Sequence, residues 1–262
     1  MENVPGCRIA GKGRWLRTVP VLLILVLFGA GYFRQNAGWP FALFLVMLAG
    51  AVFRIADVFL LGLACGLTVL FKIEPLIRIW PLPFALALIV SFVAGRCMRF
   101  ARDSFAWLKM GRCGRTECAM VALIALVSGI ALAGWYHFTR PDIGDLLDRM
   151  PYLSPVALAA VGVGFSIVNA SCEEFLWRGM IFSALERCCL PLAGVVVVQA
   201  LSFGIAHLHG FPRGISGMIL AGIYGCMLGA LRHRAGGMLA PVAAHLFADL
   251  VIYALLSSSI LT

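Results

Sequence analysis

Long apolar runs separated by short charged clusters set the pattern of this chain. Behind a basic start carrying Arg8, Lys12, Arg14 and Arg17 comes the run Val21 to Phe33. Gly38 to Phe53 and Ile55 to Phe71 follow, divided only by Arg54 and Asp57. Pro75 to Ala94 is interrupted by Pro81 and Pro83, and Cys118 to His137 is the next run. Four long apolar elements, 154–187, 190–207, 214–232 and 237–258, complete the chain. About 20 apolar residues cross a hydrocarbon core of about 30 Å, so each run is a candidate span. One helix over 39–71 would be about 50 Å long, which predicts a hairpin of two short spans there. The junction offers neither Gly nor Pro to make the turn. The first run reads as an uncleaved span, because no small-x-small cleavage site follows Phe28. The pattern predicts an all-α polytopic transmembrane helical bundle of eight or nine spans.

Composition agrees: 62% of the 262 residues are hydrophobic and 13% charged, where a soluble domain has about a quarter charged. The net charge of +9 is gathered between the apolar runs and not on one amphipathic face. It therefore marks topology and excludes a nucleic-acid partner. Arg96, Arg99, Arg102, Lys109, Arg112 and Arg115 crowd one connection, and Arg54, Arg187, Arg232 and Arg234 fall on the same side as the basic start. Arg34, Lys72, Arg78, Arg140, Arg149 and Arg213 fall on the other. This asymmetry predicts a multi-pass integral protein with a cytoplasmic N-terminus, in a bacterial inner (plasma) membrane. Nine cysteines without a CxxC pair give no sign of a disulfide framework. No internal repeat is evident. Trp15, Trp39, Trp80 and Trp135 sit near span ends as interface anchors would.

Against this background, Glu173, Glu174 and Arg178 lie inside an otherwise apolar run. Each ionisable group in hydrocarbon costs about 2.5–3.5 kcal/mol on insertion scales, so three in six positions need partners or a purpose. On a helix Glu174 and Arg178 share a face, with the acid on the favourable N-terminal side. Glu173 points about 100° away and has no local partner. Later spans add Phe203 and His207, then His209, then His245 and Asp249 one helical turn apart. A carboxylate one turn away can hold an imidazole in one tautomer. Two acids and two histidines on separate helices make a constellation for activating water, one acid taking the proton and an imidazole positioning the water. Cys172 adjoins Glu173 in sequence but points elsewhere on a helix. Gly214, Gly217, Ala221, Gly225 and Gly229 form a small-residue face for close helix packing.

These motifs, Glu-Glu-x-x-x-Arg, Phe-x-x-x-His and His-x-x-x-Asp in that order, resemble the CAAX prenyl protease and bacteriocin-processing (CPBP, or ABI) family of intramembrane endopeptidases. The resemblance covers about residues 154–258, whereas residues 1–150, about five spans, carry no recognised motif. Two regions are therefore expected, an N-terminal transmembrane region over 1–150 and a catalytic transmembrane core over 151–262, with the site among the last four helices. The resemblance implies hydrolysis of a peptide bond in a protein or peptide substrate by a glutamate-activated water. Glu173 would be the base, His207 would help hold the water, and His245 with Asp249 would form an oxyanion site. Glu174 and Arg178 would brace the site, and no cofactor or metal is implied. Relatives acting on prenylated proteins have Asn at the position of Asp249. An ionised Asp cannot donate to an oxyanion, so its task here is either to orient and charge His245 or to act protonated.

Two alternatives stand beside this reading. One is a non-proteolytic membrane protein, an immunity factor or an ion- or proton-coupled transporter, using the buried charges for ion movement. The other is a zinc-dependent version of the same protease, with ligands drawn from Glu173, Glu174, His207, His209 and His245. A geometric difficulty also arises. His207 lies roughly 25 Å along its span and His245 about 12 Å along its own, so upright helices would not bring them together. A long tilted sixth helix, a break near Ser202-Phe203-Gly204, or a seventh helix beginning outside the membrane would reconcile them.

Overall fold

The protein is described by a computed structural model covering residues 11–34, 36–73 and 80–261. The expectations that rest on Arg8, Arg78 and the first residues of the Pro75–Ala94 run lie outside these residues. Among the described residues the chain is helical throughout, running α1 (Gly11–Phe33), α2 (Gly38–Val52), α3 (Ala56–Ile73), α4 (Leu82–Cys97), α5 (Arg115–Thr139), a short α6 (Gly144–Leu147), α7 (Pro155–Glu174), α8 (Phe182–Arg187), α9 (Leu192–Ala206), α10 (Gly214–Ala235) and α11 (Leu239–Leu261). A π-helical stretch, Phe175–Ile181, joins α7 to α8, so Pro155–Arg187 is one continuous rod of 33 residues. Among the described residues, seven helices are long and apolar enough to cross a membrane, and α2 and α4 are shorter apolar helices. The protein is an integral, multi-pass membrane protein with an all-α bundle, and the last four spans fall within a few residues of the apolar runs.

The junction with no Gly or Pro is turned by Arg54, which takes a left-handed φ of 53°. The amide of Ile55 reaches back to the carbonyl of Gly50 at 2.8 Å. An arginine in that conformation leaves no compositional turn signal. The two short helices then pack so closely that a Cβ on Gly62 would lie 2.9 Å from the Cα of Met47. Small residues allow such backbone approach where apolar lipid gives helices little hydrophobic reason to associate.

The same device joins α9 to α10. A Cβ on Gly225 would stand 3.1 Å from the Cα of Ala200, and one on Gly204 would stand 2.6 Å from the carbonyl oxygen of Met218. The small face of α10 is thus its interior face, while Ile215, Ile219 and Ile223, spaced by four, are exposed on the other side. Those isoleucines present the apolar surface that lipid requires.

The basic connection 96–115 does more than mark topology. Its Phe105 and Trp107 are buried, and Trp107 packs edge-on against Phe175 with ring centroids 4.9 Å apart. Its backbone pairs with the turn between α10 and α11, Met238 N–H to Lys109 C=O at 2.8 Å and Arg112 N–H to Ala235 C=O at 2.8 Å. The π-helical stretch therefore rests on this connection. Of the expected tryptophan anchors, Trp15 is exposed, but Trp135 is buried and donates to Ser216 Oγ at 3.0 Å. Cys65, Cys97, Cys113, Cys118, Cys172, Cys188 and Cys226 are free thiols. Cys189 is disulfide-bonded, which the apolar setting and absence of CxxC spacing gave no means to foresee.

Candidate active site

The site is built where the last turn of α7 meets the first half of α11. Glu173 and Glu174 end α7, and the wider π turns begin at Phe175. A π segment inserts an extra residue into the helix and re-aims the side chains beyond it, a feature frequent at functional sites. Here it does not separate Glu174 from Arg178. Arg178 Nη1 donates to Glu174 Oε1 at 2.8 Å, and both side chains are wholly buried. Arg178 also donates to the carbonyl of Gly225 at 3.5 Å and lies over the Phe203 ring, its Cζ 4.4 Å from the centroid. The ion pair is thus tied to both α9 and α10.

His245 is held by a carboxylate, but by Glu174 and not by the one a turn away. His245 Nδ1 is 2.7 Å from Glu174 Oε1, whereas Asp249 Oδ1 is 3.7 Å from Nε2. A contact of 3.7 Å is not a hydrogen bond. The i,i+4 spacing put Asp249 on the right face; the cross-helix partner came closer because α11 packs directly on α7, which sequence spacing does not encode. Since a carboxylate accepts, Nδ1 carries a proton, and Nε2 is turned toward Glu173 Oε2 at 3.6 Å and toward Asp249. Three carboxyl groups thus surround one imidazole and one guanidinium.

Asn169, which the charge pattern of the sequence does not single out, joins the group. Its Nδ2 donates to Glu173 Oε1 at 3.2 Å and to Asp249 Oδ2 at 3.1 Å, and its Oδ1 accepts from Trp80 Nε1 at 2.9 Å. One signal could have found it: Asn169 lies one helical turn before Glu173, as Arg178 lies one turn after Glu174. Trp80 had no such signal, since it comes from the turn that leads into α4 and its position suggests only an interface anchor.

His207 caps α9 and begins a single 3₁₀ turn, His207–His209. Helix α9 runs unbroken through Ser202, Phe203 and Gly204, so no break lowers His207 toward His245. The Phe203 ring connects them instead, its centroid 4.5 Å from the His207 ring and 5.9 Å from the His245 ring. His207 Nδ1 lies 2.9 Å from the Phe203 carbonyl. A carbonyl only accepts, so Nδ1–H is the protonated nitrogen and Nε2 keeps its lone pair. The 33-residue rod, about 50 Å by its rise, is too long to stand upright in a core of about 30 Å. His209 is exposed, as is His233. Near His209 a cleft of about 840 Å³ opens at the end of the bundle, lined by Lys72, Trp135, Asp145, Arg149 and Arg213 among others.

Glu173, Glu174, His245 and Asp249 are all buried. Among the described residues, Glu173 Oε2, Glu174 Oε2, Arg178 Nε, Gln199 Oε1 and Tyr224 OH are buried without a hydrogen-bond partner. Such atoms cost about 1–3 kcal/mol each; Glu173 and Glu174 both face His245, and the Tyr224 ring packs against it. No three His, Cys, Asp or Glu side chains among the described residues are grouped so as to hold a metal ion. Compared with known protein families, residues 155–251 match the model described as Rce1-like, type II CAAX prenyl endopeptidase. No curated protein and no solved structure matches the chain.

Proposed function

From the Rce1-like region spanning 155–251, a family of proteases, we propose that this protein is an intramembrane endopeptidase in which Glu173 activates the attacking water without a metal ion. The observation that carries the reading is Glu173 Oε2: buried, without a partner, and 3.6 Å from His245 Nε2. That separation is too long for a direct bond and suits a bridging water. Glu173 takes the proton of that water as it attacks the peptide carbonyl. His245, fixed through Nδ1 by Glu174 and through Glu174 by Arg178, offers Nε2–H to the developing oxyanion. His207, with Nε2 free to accept, orients the water or the leaving amine from the far side of Phe203. Asp249, 3.7 Å from the same Nε2, helps orient the imidazole.

In this reading residues 151–262 are the catalytic core, residues 1–150 its transmembrane support, and the N-terminus is cytoplasmic in a bacterial inner membrane. The partners are a protein or peptide substrate and the bilayer. The zinc version is disfavoured because Glu174 Oε1 already accepts from both Arg178 and His245, and Glu173 Oε1 from Asn169. The test uses purified protein in liposomes with quenched fluorescent peptides ending in a Cys-aliphatic-aliphatic-X sequence, with and without a prenyl group. Cleavage that survives strong chelators and disappears in Glu173→Gln is expected. Full cleavage by Glu173→Gln, or loss on chelation with recovery on adding zinc, overturns it.

A further inference from the structure

We propose that Asn169 is a positioning residue of this site, locked in orientation by Trp80, and that it sets the spacing and the shared charge of Glu173 and Asp249. The kinetic part of this proposal rests on the proteolytic reading above. Asn169 is buried and spends both hydrogens of one amide nitrogen on two different carboxylates, at 3.2 and 3.1 Å. An amide has a second orientation that would place its oxygen against those carboxylates, where acceptor would face acceptor. Trp80 excludes that orientation. An indole nitrogen only donates, so its 2.9 Å contact requires the Asn169 oxygen to face Trp80 and the NH₂ to face the acids. Trp80 is itself held by stacking on Phe84, centroids 5.5 Å apart and rings 13° from parallel.

This locked amide bears on the chemistry in two ways. Because Asn169 occupies Glu173 Oε1, the oxygen left facing His245 is Oε2, so the amide selects which lone pairs meet the water. Because the same nitrogen serves Asp249, the amide favours negative charge on both acids and holds them a fixed distance apart. The other groups acting on this pair are His245 on α11, Glu174 and Arg178 on the same rod, His207 on α9, Tyr224 on α10 and Tyr32 on α1. None of these donates a hydrogen bond to both acids among the described residues.

The test compares wild type, Asn169→Ala, Asn169→Asp and Trp80→Phe in liposomes with the same peptides. Asn169→Asp keeps the size and the oxygen facing Trp80, so it reports even where Asn169→Ala does not fold. For the Asn169 variants kcat falls about 10- to 100-fold, as for other residues that orient a catalytic group, while KM stays within about twofold. The acid limb of the kcat/KM profile moves to higher pH, furthest in Asn169→Asp, which adds a further negative charge beside Glu173 and Asp249. Trp80→Phe keeps the stacked ring, loses the N–H, and moves the limb in the same direction by less. A purely structural role would lower folded yield and leave the limb in place, and that result overturns the proposal. Infrared titration gives a second reading independent of turnover. The Glu173 and Asp249 carboxyl bands, assigned by their loss in Glu173→Gln and Asp249→Asn, titrate at higher pH in Asn169→Ala than in wild type. Wild-type protein that cuts no peptide overturns the proteolytic reading, and unchanged infrared bands in the Asn169 variants overturn the role of Asn169.

Discussion

Among the described residues, two of the places that bury carboxylates are finished differently. At one end of the bundle Asp57, in the first turn of α3, is closed in by arginines: Arg187 Nε donates to its Oδ2 at 2.9 Å and Arg187 Nη2 to its Oδ1, while Arg17 Nε stands 3.7 Å away. Both oxygens are satisfied, and the cluster ties α1, α3 and α8 together. In the middle of the bundle Glu173 and Glu174 are as deeply buried, yet each keeps one oxygen without a partner and both face His245. A saturated buried charge acts as a clamp, whereas a buried charge left incomplete carries a standing cost, which is the ground for the proposal that Glu173 works on a substrate. The burial of a carboxylate therefore says little about its role, and the count of its unmet bonds says more.

This contrast is broken most directly by paired substitutions. Glu173→Gln should abolish peptide cleavage, by 10³-fold or more in kcat, about 4 kcal/mol of barrier, with the melting temperature unchanged or raised. Asp57→Ala should do the reverse. It leaves the half-exposed Arg187 and Arg17 without their common carboxylate and unties α1, α3 and α8, so folded yield drops, while protein that does fold cuts with an ordinary kcat. Thermal melts alongside turnover distinguish the two, and a stable, inactive Asp57→Ala protein would erase the distinction.

Arg178→Leu tests the boundary between clamp and site, because Arg178 secures Glu174, which in turn secures His245. Stranding Glu174 should cost about 3–5 kcal/mol of stability and remove activity with it. A fully folded, active Arg178→Leu protein would show that the brace is dispensable. Asp249→Asn should have a smaller effect, less than about tenfold in kcat, since Glu174 holds His245 and an amide oxygen at position 249 can still accept from Asn169. A loss of 10³-fold in a folded protein would make Asp249 an essential carboxylate.

Much of this arrangement was legible in the sequence, and the illegible remainder has a common cause. Apolar runs located the late spans because bilayer thickness fixes helix length, and the i,i+4 rule paired Glu174 with Arg178 because both lie on one helix. Contacts between helices obeyed no such period. The choice of Glu174 over Asp249 for His245, the reach of Trp80 to Asn169, and the Phe203 ring between His207 and His245 all depend on how rods pack side by side. Local backbone exceptions were equally silent, since an arginine, Arg54, makes a left-handed turn and the π turns from Phe175 follow no residue pattern that distinguishes them from α-helix.

The smallest expected effect belongs to the exposed counterpart of these buried pairs. Arg213 grips Asp145 with two hydrogen bonds, 2.7 and 3.1 Å, where the first turn of α6 meets the start of α10. Those bonds, and the charge of Arg213 behind them, hold the Asp145 carboxyl below the usual carboxylate range. A carboxyl depressed in the folded state stabilises it fully above the unfolded value of about 3.9, and that contribution is lost as pH falls through the folded value. Between pH 5 and 8 the pair therefore adds a constant amount. The Asp145 side chain is 50% exposed, so solvent screening limits that amount to about 0.2–1 kcal/mol. Asp145→Asn should accordingly lower the melting temperature slightly at neutral pH, and the difference from wild type should vanish below about pH 3. Turnover should not change, since the pair stands at the rim and not beside Glu173. A difference that persisted undiminished in acid would show that Asp145 acts through shape and not charge. A loss of cleavage with normal stability would place the rim, and the cleft beside it, within the working site.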